Sequence, residues 1–169
     1  MIREMTASDI AEVLKIYGQA LVSGTATFNT VCPTAEQWDK GHLRDGRFVD
    51  VTEGKITGWI AVSPTSPREA YKGVVEVSVY VDENFRGKGI GTGLLKKLCA
   101  EMKNYGYWSL YAAVFSSNEA SIALHKKCGF REIGFRERIA KDKFGRWQNT
   151  TLLEYRSADC ESFQDLEDL

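Results

Sequence analysis

Twenty residues in the middle of the chain, Val74–Gly93 (VVEVSVYVDENFRGKGIGTG), constrain the fold more than any other stretch. Five of the first eight are valine and one is tyrosine, a composition that favours a strand. Asp82, Glu83 and Asn84 break that run. Glycine then takes every second position at Gly87, Gly89 and Gly91. From Leu94 the apolar residues switch to helical spacing, with Leu95, Leu98, Met102 and Tyr105. A strand that feeds a glycine-rich loop at a helix start can hold phosphate on its free N–H groups. The strand also sorts its side chains: Val75, Val77, Val79 and Val81 share one face, Glu76, Ser78 and Tyr80 the other. A carboxylate in such a strand is desolvated, which raises its pKa toward that of a useful base, or else it pairs with a lysine or arginine across the sheet.

The flanking sequence supplies the rest of an α+β domain. Ile2–Met5 reads as a strand. Thr6 and Asp9 form a capping box for a helix carrying Ile10, Val13, Leu14, Tyr17 and Leu21, which Ser23-Gly24 stops. Residues 25–32 are irregular and carry Phe28; a second helix follows over Ala35–Leu43. Phe48–Thr52 and Ile56–Val62 are strands around a Glu53-Gly54-Lys55 hairpin, and Ser63–Ala70 is a loop. Beyond the central segment come a strand at Trp108–Phe115, a helix at Glu119–Lys127 capped by Ser116-Ser117-Asn118, and strands at Phe130–Ile139 and Gln148–Tyr155. The expected order is β α α β β β α β α β β, one domain over residues 1–157. An acidic tail at 158–169, with five acids and no base, is expected to be frayed or solvated.

Composition narrows the function classes. With 43% apolar and 27% charged residues among 169, a sizeable core is available. A formal net charge of −1 gives no footing for nucleic acid or a membrane surface, and no apolar run approaches the ~20 residues that span a bilayer. The polar, charged N-terminus is not a signal peptide. Cys32, Cys99, Cys128 and Cys160 form no metal-binding spacing, so no metal is expected, and reduced thiols in a cytoplasmic protein are the simplest reading.

The glycine loop fails two nucleotide patterns. G-x-G-x-x-G would end on Thr92 or Leu94, and in G-x-x-x-x-G-K-[ST] the lysine follows the wrong glycine. Arg86-x-x-Gly89-x-Gly91 instead matches R/Q-x-x-G-x-G/A, and Asn118-x-x-Ser121 with Leu124-His125-x-x-Cys128-Gly129-Phe130 follows downstream. On these two motifs the chain resembles the GNAT superfamily of N-acetyltransferases, over about residues 2–156. The strand VEVSVYV, Arg68-x-Ala70-Tyr71, Ala26-Thr27-Phe28 and Lys143–Trp147 resemble more narrowly the phosphinothricin acetyltransferase family, which includes acetyltransferases of methionine sulfoximine and methionine sulfone. Where many members place Asp two residues after the tryptophan, this chain has Asn149.

The resemblance implies a GNAT fold: a mixed, mostly antiparallel sheet of six to seven strands, helices on both faces and splayed central strands. It implies acetyl-CoA as co-substrate, a small amine as acceptor and a homodimer. It makes Glu76 the general base and puts His125 beside the thioester, as acid or hydrogen-bonding partner. Val79, Tyr80 and Val81 would run along the pantetheine arm, with the Val79 N–H as oxyanion-hole donor. Arg86, Gly87, Lys88, Gly89, Ile90, Gly91 and Thr92 would cradle the pyrophosphate. Asn118 would hold the pantetheine arm or simply cap its helix, and Ser121 lies one turn on. Arg68 would meet an acceptor carboxylate, Tyr71 and Phe28 would wall the pocket, and Glu76 and Ser78 would face it. No cysteine sits in these motifs as a nucleophile, so direct transfer is expected. A transferase for protein N-termini, lysines or polyamines, and an acetyl-CoA-binding sensor, remain open.

Overall fold

The structure, a computed structural model, describes residues 1–157; the acidic tail expected at 158–169 lies outside the described residues. The elements follow the expected order: β1 (Ile2–Glu4), α1 (Ile10–Ser23), α2 (Ala35–Gly41), β2 (Phe48–Thr52), β3 (Lys55–Pro64), β4 (Val74–Val81), α3 (Ile90–Glu101), β5 (Ser109–Phe115), α4 (Glu119–Lys127), β6 (Arg131–Lys141) and β7 (Trp147–Arg156).

The seven strands form one sheet in the order β1-β2-β3-β4-β5-β7-β6. Every neighbouring pair is antiparallel except β4 with β5. Strand alternation sends side chains into two cores. Phe48, Ile60, Val62, Val75 and Val77 meet α3 residues Leu94, Leu95 and Leu98 on one face. Val49, Trp59 and Ala61 meet Val13, Ile16, Tyr17 and Leu21 of α1 and Trp38 of α2 on the other. Helices therefore cover both faces. Among the described residues no helix is long and apolar enough to cross a membrane.

Local chemistry explains most boundaries. The capping box at Thr6 and Asp9 is present, with the Thr6 N–H donating to Asp9 Oδ2 at 2.7 Å. Glu53 and Gly54 take φ of 51° and 75° and close the hairpin between Thr52 and Lys55. Several boundaries differ from expectation: β3 runs on to Pro64, through residues expected in the loop, and β6 to Lys141 rather than Ile139. Helix α2 stops at Gly41 rather than Leu43, because His42 is extended and the Leu43 N–H joins β3 by donating to Val62 O at 2.8 Å. Helix α3 begins at Ile90, within the expected helix start and one turn before the apolar stripe opens at Leu94. Its first turn, with two glycines and a threonine after Ile90, carries no apolar stripe to mark it.

Candidate active site

The feature that makes a site is a parting of the sheet. Strand β4 pairs with β5 only from Val74 to Glu76, opposite Ser109 to Tyr111. β5 then stays with β7 as far as Phe115, while β4 stays with β3 as far as Val81. Between them opens a cleft of about 990 Å³, lined by Glu76–Val81 on one wall and Ala112–Phe115 on the other. The Asp82 N–H donates to Thr57 O at 2.9 Å. Alternation along the β3–β4 ladder then turns the backbone groups of Ser78 and Tyr80 toward β3. Those of Val79 and Val81 face the other way, into the wedge where β5 no longer meets them. The parting thus leaves a short stretch of unpaired strand edge inside the protein, a place for an extended ligand to pair.

At one end the wedge reaches the glycine loop. Gly87 and Gly89 take φ of 74° and 79°, a region L side chains avoid, and the space where a Cβ would project is open at both. Gly89 is the N-cap of α3 and offers no side-chain cap, so the first N–H groups of the helix are free of protein side chains. Arg86, Ile90, Gly91 and Thr92 also line the cleft. The loop is tied to α1, since Gln19 Nε2 donates to Asp82 Oδ2 at 2.9 Å and Gln19 Oε1 accepts from the Glu83 N–H at 3.0 Å. An open, glycine-walled helix start beside a free strand edge fits a diphosphate joined to an extended amide chain.

The other end is aromatic. Tyr80 turns its ring to the α1 side, edge-on to Tyr17 with centroids 5.1 Å apart and tilted against Trp59 at 5.1 Å. Trp38 packs edge-on to Trp59, and His42 stacks on Trp38. Residues 25–29, between α1 and α2, close this end: Asn29 Nδ2 donates to Tyr17 Oη at 2.6 Å, and Phe28 lies against Phe115 with centroids 4.5 Å apart. Tyr17, Trp38, Trp59 and Phe115 carried no mark in the sequence beyond their apolar character, which is also the mark of a core residue, and His42 carried none.

Glu76 stands in this wall, half-buried, beside Ser63 of β3 and Tyr111 of β5. Among the described residues no cation or hydrogen-bond donor pairs with its carboxylate. Burial raises its pKa above the ordinary glutamate value. Of the two readings open from sequence, the cross-strand ion pair is absent among the described residues. Tyr80 stays protonated, because burial drives its pKa up.

His125 of α4 is 2% exposed, and Nδ1 lies 2.7 Å from Ser121 O. A carbonyl only accepts, so Nδ1 carries the proton and Nε2 is an acceptor. Burial lowers the pKa against the opposing effect of that hydrogen bond, and the ring is neutral at pH 7. Asn118 serves its cap through Oδ1, which accepts from the Ser121 N–H at 3.2 Å. Its amide Nδ2 is left for another acceptor, so capping and ligand binding are compatible in one side chain.

The structure brings together Glu76, Ser78, Val79, Tyr80, Val81, Arg86, Gly87, Gly89, Ile90, Gly91, Thr92, Asn118, Ser121, His125 and Phe28 around one cleft. Lys88 belongs to the same loop but turns its ammonium over the ring of Phe85, itself a lining residue, at 4.6 Å. Two candidates lie elsewhere: Arg68 and Tyr71 lie at a short 3-10 turn (Glu69–Tyr71) between β3 and β4, outside the cleft lining. Asn149, on β7, reaches the bulge of the edge strand β6. Its Oδ1 accepts from the Arg138 N–H at 2.8 Å, where β6 bulges and Arg138 takes a φ of 46°. An aspartate could accept that bond equally well.

Comparison with known proteins agrees with this geometry. The chain is 33% identical over 159 residues to an L-methionine sulfoximine/L-methionine sulfone acetyltransferase of Pseudomonas paraeruginosa, covering 90% of this chain and 92% of that one. A crystal structure of a ribosomal-protein-alanine N-acetyltransferase from Brucella melitensis superposes with a TM-score of 0.85 at 35% identity, covering 92% of this chain and 99% of that one. A GNAT superfamily phosphinothricin acetyltransferase from Sinorhizobium meliloti, in complex with AcCoA, gives a TM-score of 0.85 at 28% identity over 93% of this chain and 88% of that one. The family model described as Acetyltransferase (GNAT) family matches residues 12–130, and with the parted strands and the glycine loop this places the chain in the GNAT acetyltransferase family.

Proposed function

We propose that the protein transfers an acetyl group from acetyl-CoA to the α-amine of a small amino-acid analogue of the phosphinothricin, methionine sulfoximine or methionine sulfone type. The observation that carries this reading is the unpaired, half-buried Glu76 at the junction of the wedge and the aromatic end. Acetyl-CoA supplies the acyl group. The Gly87–Gly91 loop and the start of α3 hold its pyrophosphate, and the free edge of Val79 to Val81 pairs with its amide chain. The Val79 N–H donates to the thioester carbonyl oxygen, where negative charge gathers during attack. An α-amine is mostly protonated at neutral pH and has no lone pair until a base removes a proton. Glu76, with its raised pKa and no competing cation among the described residues, takes that proton directly or through one water. The freed amine forms the C–N bond, the tetrahedral intermediate breaks its C–S bond, and the departing CoA thiolate takes up the second proton that the acylated nitrogen sheds, directly or through water. His125 offers a neutral acceptor at Nε2 rather than an acid. Transfer is direct, since burial pushes the Cys99 thiol up to about 12 and raises that of Cys128, leaving neither as a nucleophile.

The similarity to the ribosomal-protein-alanine N-acetyltransferase supports a second reading, a peptide N-terminus as acceptor. An acceptor screen by thiol release separates the two: phosphinothricin, methionine sulfoximine, methionine sulfone, the common amino acids and an alanine-initiated peptide. Turnover with the free amino-acid analogues is expected. Turnover with the peptide alone would overturn the proposal, and tight acetyl-CoA binding without release to any amine would make the protein a sensor.

A homodimer belongs to the same proposal. β6 is a sheet edge and exposes Ile133, Phe135 and Ile139, with Trp147 exposed on neighbouring β7, an apolar face that a second copy would cover. Sedimentation at the mass of a single chain would remove it. A reducing, cytoplasmic home fits the three free thiols among the described residues.

A further inference from the structure

Helix α1 ends without a basic residue in its last turn. One of its terminal carbonyls, Ala20 O, accepts from the Gly24 N–H at 2.9 Å and from Ser23 Oγ at 3.0 Å. The next two are met from far away in sequence: Lys143 Nζ, in the loop between β6 and β7, donates to Leu21 O at 3.0 Å and to Val22 O at 2.5 Å. A cation at a helix C-terminus satisfies carbonyls the helix itself cannot and complements its dipole.

The contact is built rather than incidental. Gly24 caps α1 with a φ of 64°, and a Cβ there would stand 2.6 Å from Lys143 Cδ and 2.8 Å from Cγ. The stem of Lys143 therefore lies across the bare face of that glycine. The loop that presents it is fixed by Asp142, whose carboxylate accepts from the Phe144 and Arg146 N–H groups, Arg146 Nε and Gln148 Nε2 at 2.8 to 3.0 Å. Directly after Gly24 come residues 25–29, which close the aromatic end of the cleft through Thr27, Phe28 and Asn29.

We propose that Lys143 is a positioning residue that fixes the wall formed by residues 25–29 and so sets the affinity for the amine acceptor, leaving acetyl-CoA binding to the opposite end of the cleft. This rests on the reading of the aromatic end as the acceptor site. Lys143 itself touches neither substrate.

The test uses the full chain with Lys143→Met, which keeps the stem, and Lys143→Arg, which keeps two donors. With methionine sulfone as probe, Lys143→Met is expected to raise the acceptor KM about tenfold, the scale of one charged hydrogen bond, with the acetyl-CoA KM within about twofold. Lys143→Arg should restore the acceptor KM to within about threefold of wild type. Unchanged KM values, or both rising together, would overturn the proposal, as would a fall in kcat alone. A second readout needs no turnover: amide exchange at Ser23 and Gly24 should quicken about tenfold in Lys143→Met and not in Lys143→Arg. If wild type acetylates none of methionine sulfone, methionine sulfoximine and phosphinothricin, the acceptor reading fails and exchange alone decides whether the clamp exists; if it prefers one of the other two, that analogue serves as the probe. Should the methionine variant not fold, Lys143→Gln carries the same measurements.

Discussion

Glu76 and Asp142 are both shielded carboxylates, and the protein treats them in opposite ways. Asp142 sits in the β6–β7 loop with four hydrogen-bond donors on its two oxygens. Burial alone would push its pKa up, but the donors outweigh burial and hold it at about 2. Asp9 shows the same treatment at the start of α1, where Arg3 and Thr6 also hold it at about 2. Glu76 meets burial with nothing to offset it, and its pKa rises. A loop anchor has every lone pair answered. A base must keep a lone pair free, and the cost of that freedom is borne by the folded state.

The sharpest way to break this contrast is Glu76→Gln. If Glu76 takes the amine proton, kcat falls by about 10²- to 10⁴-fold while acetyl-CoA affinity, measured by calorimetry, stays near wild type. Equal turnover at neutral pH would remove the base assignment. At the other carboxylate the expected loss is of stability. Asp142→Asn puts an amide among donors that need an acceptor, so the thermal midpoint should fall, with a smaller change in kcat. A midpoint equal to wild type would show that the loop does not depend on its aspartate.

The two groups should also part company with pH. The stabilising effect of Asp142 and Asp9 is complete above their ordinary value of 3.8 and is lost as pH falls through about 2. For Glu76 the sign reverses. The native state holds its proton more tightly than the unfolded chain does, so ionising Glu76 lowers stability as pH rises above 4.5 toward its raised folded value. Glu76→Gln should therefore be at least as stable as wild type at pH 7, by urea midpoint, with that advantage shrinking toward pH 4.5. A variant less stable than wild type at pH 7 would mean Glu76 has a partner after all.

The smallest effect is expected at His125. A neutral ring that only accepts should cost about tenfold or less in kcat/KM when replaced by Asn. Because its pKa lies below the ordinary 6.5, no histidine limb should appear in the rate profile above pH 6.5. A limb there that vanishes in His125→Asn would restore the histidine as an acid.

Much of this was legible from local pattern. The valine run of β4, the left-handed glycines at 87 and 89, and the Asn118 cap each depend on neighbours in sequence, and each stands where its residues placed it. The aromatic end was not legible. Tyr17, Trp38 and Trp59 lie on three different elements, and each reads alone as an ordinary core residue. Arg68 and Tyr71 show the converse: neighbours of β4 in sequence, they stand outside the cleft.

By itself, the sequence determined the order of the elements, the two faces of β4 and the glycine-walled helix start. These follow from steric limits on φ and ψ and from the period of apolar residues. Tertiary structure alone decided that β4 parts from β5 after Glu76, that no cation among the described residues meets that carboxylate, and that Lys143 reaches the end of a helix more than a hundred residues earlier. Each of those depends on which surfaces meet when the sheet is assembled, and a one-dimensional pattern carries no record of that.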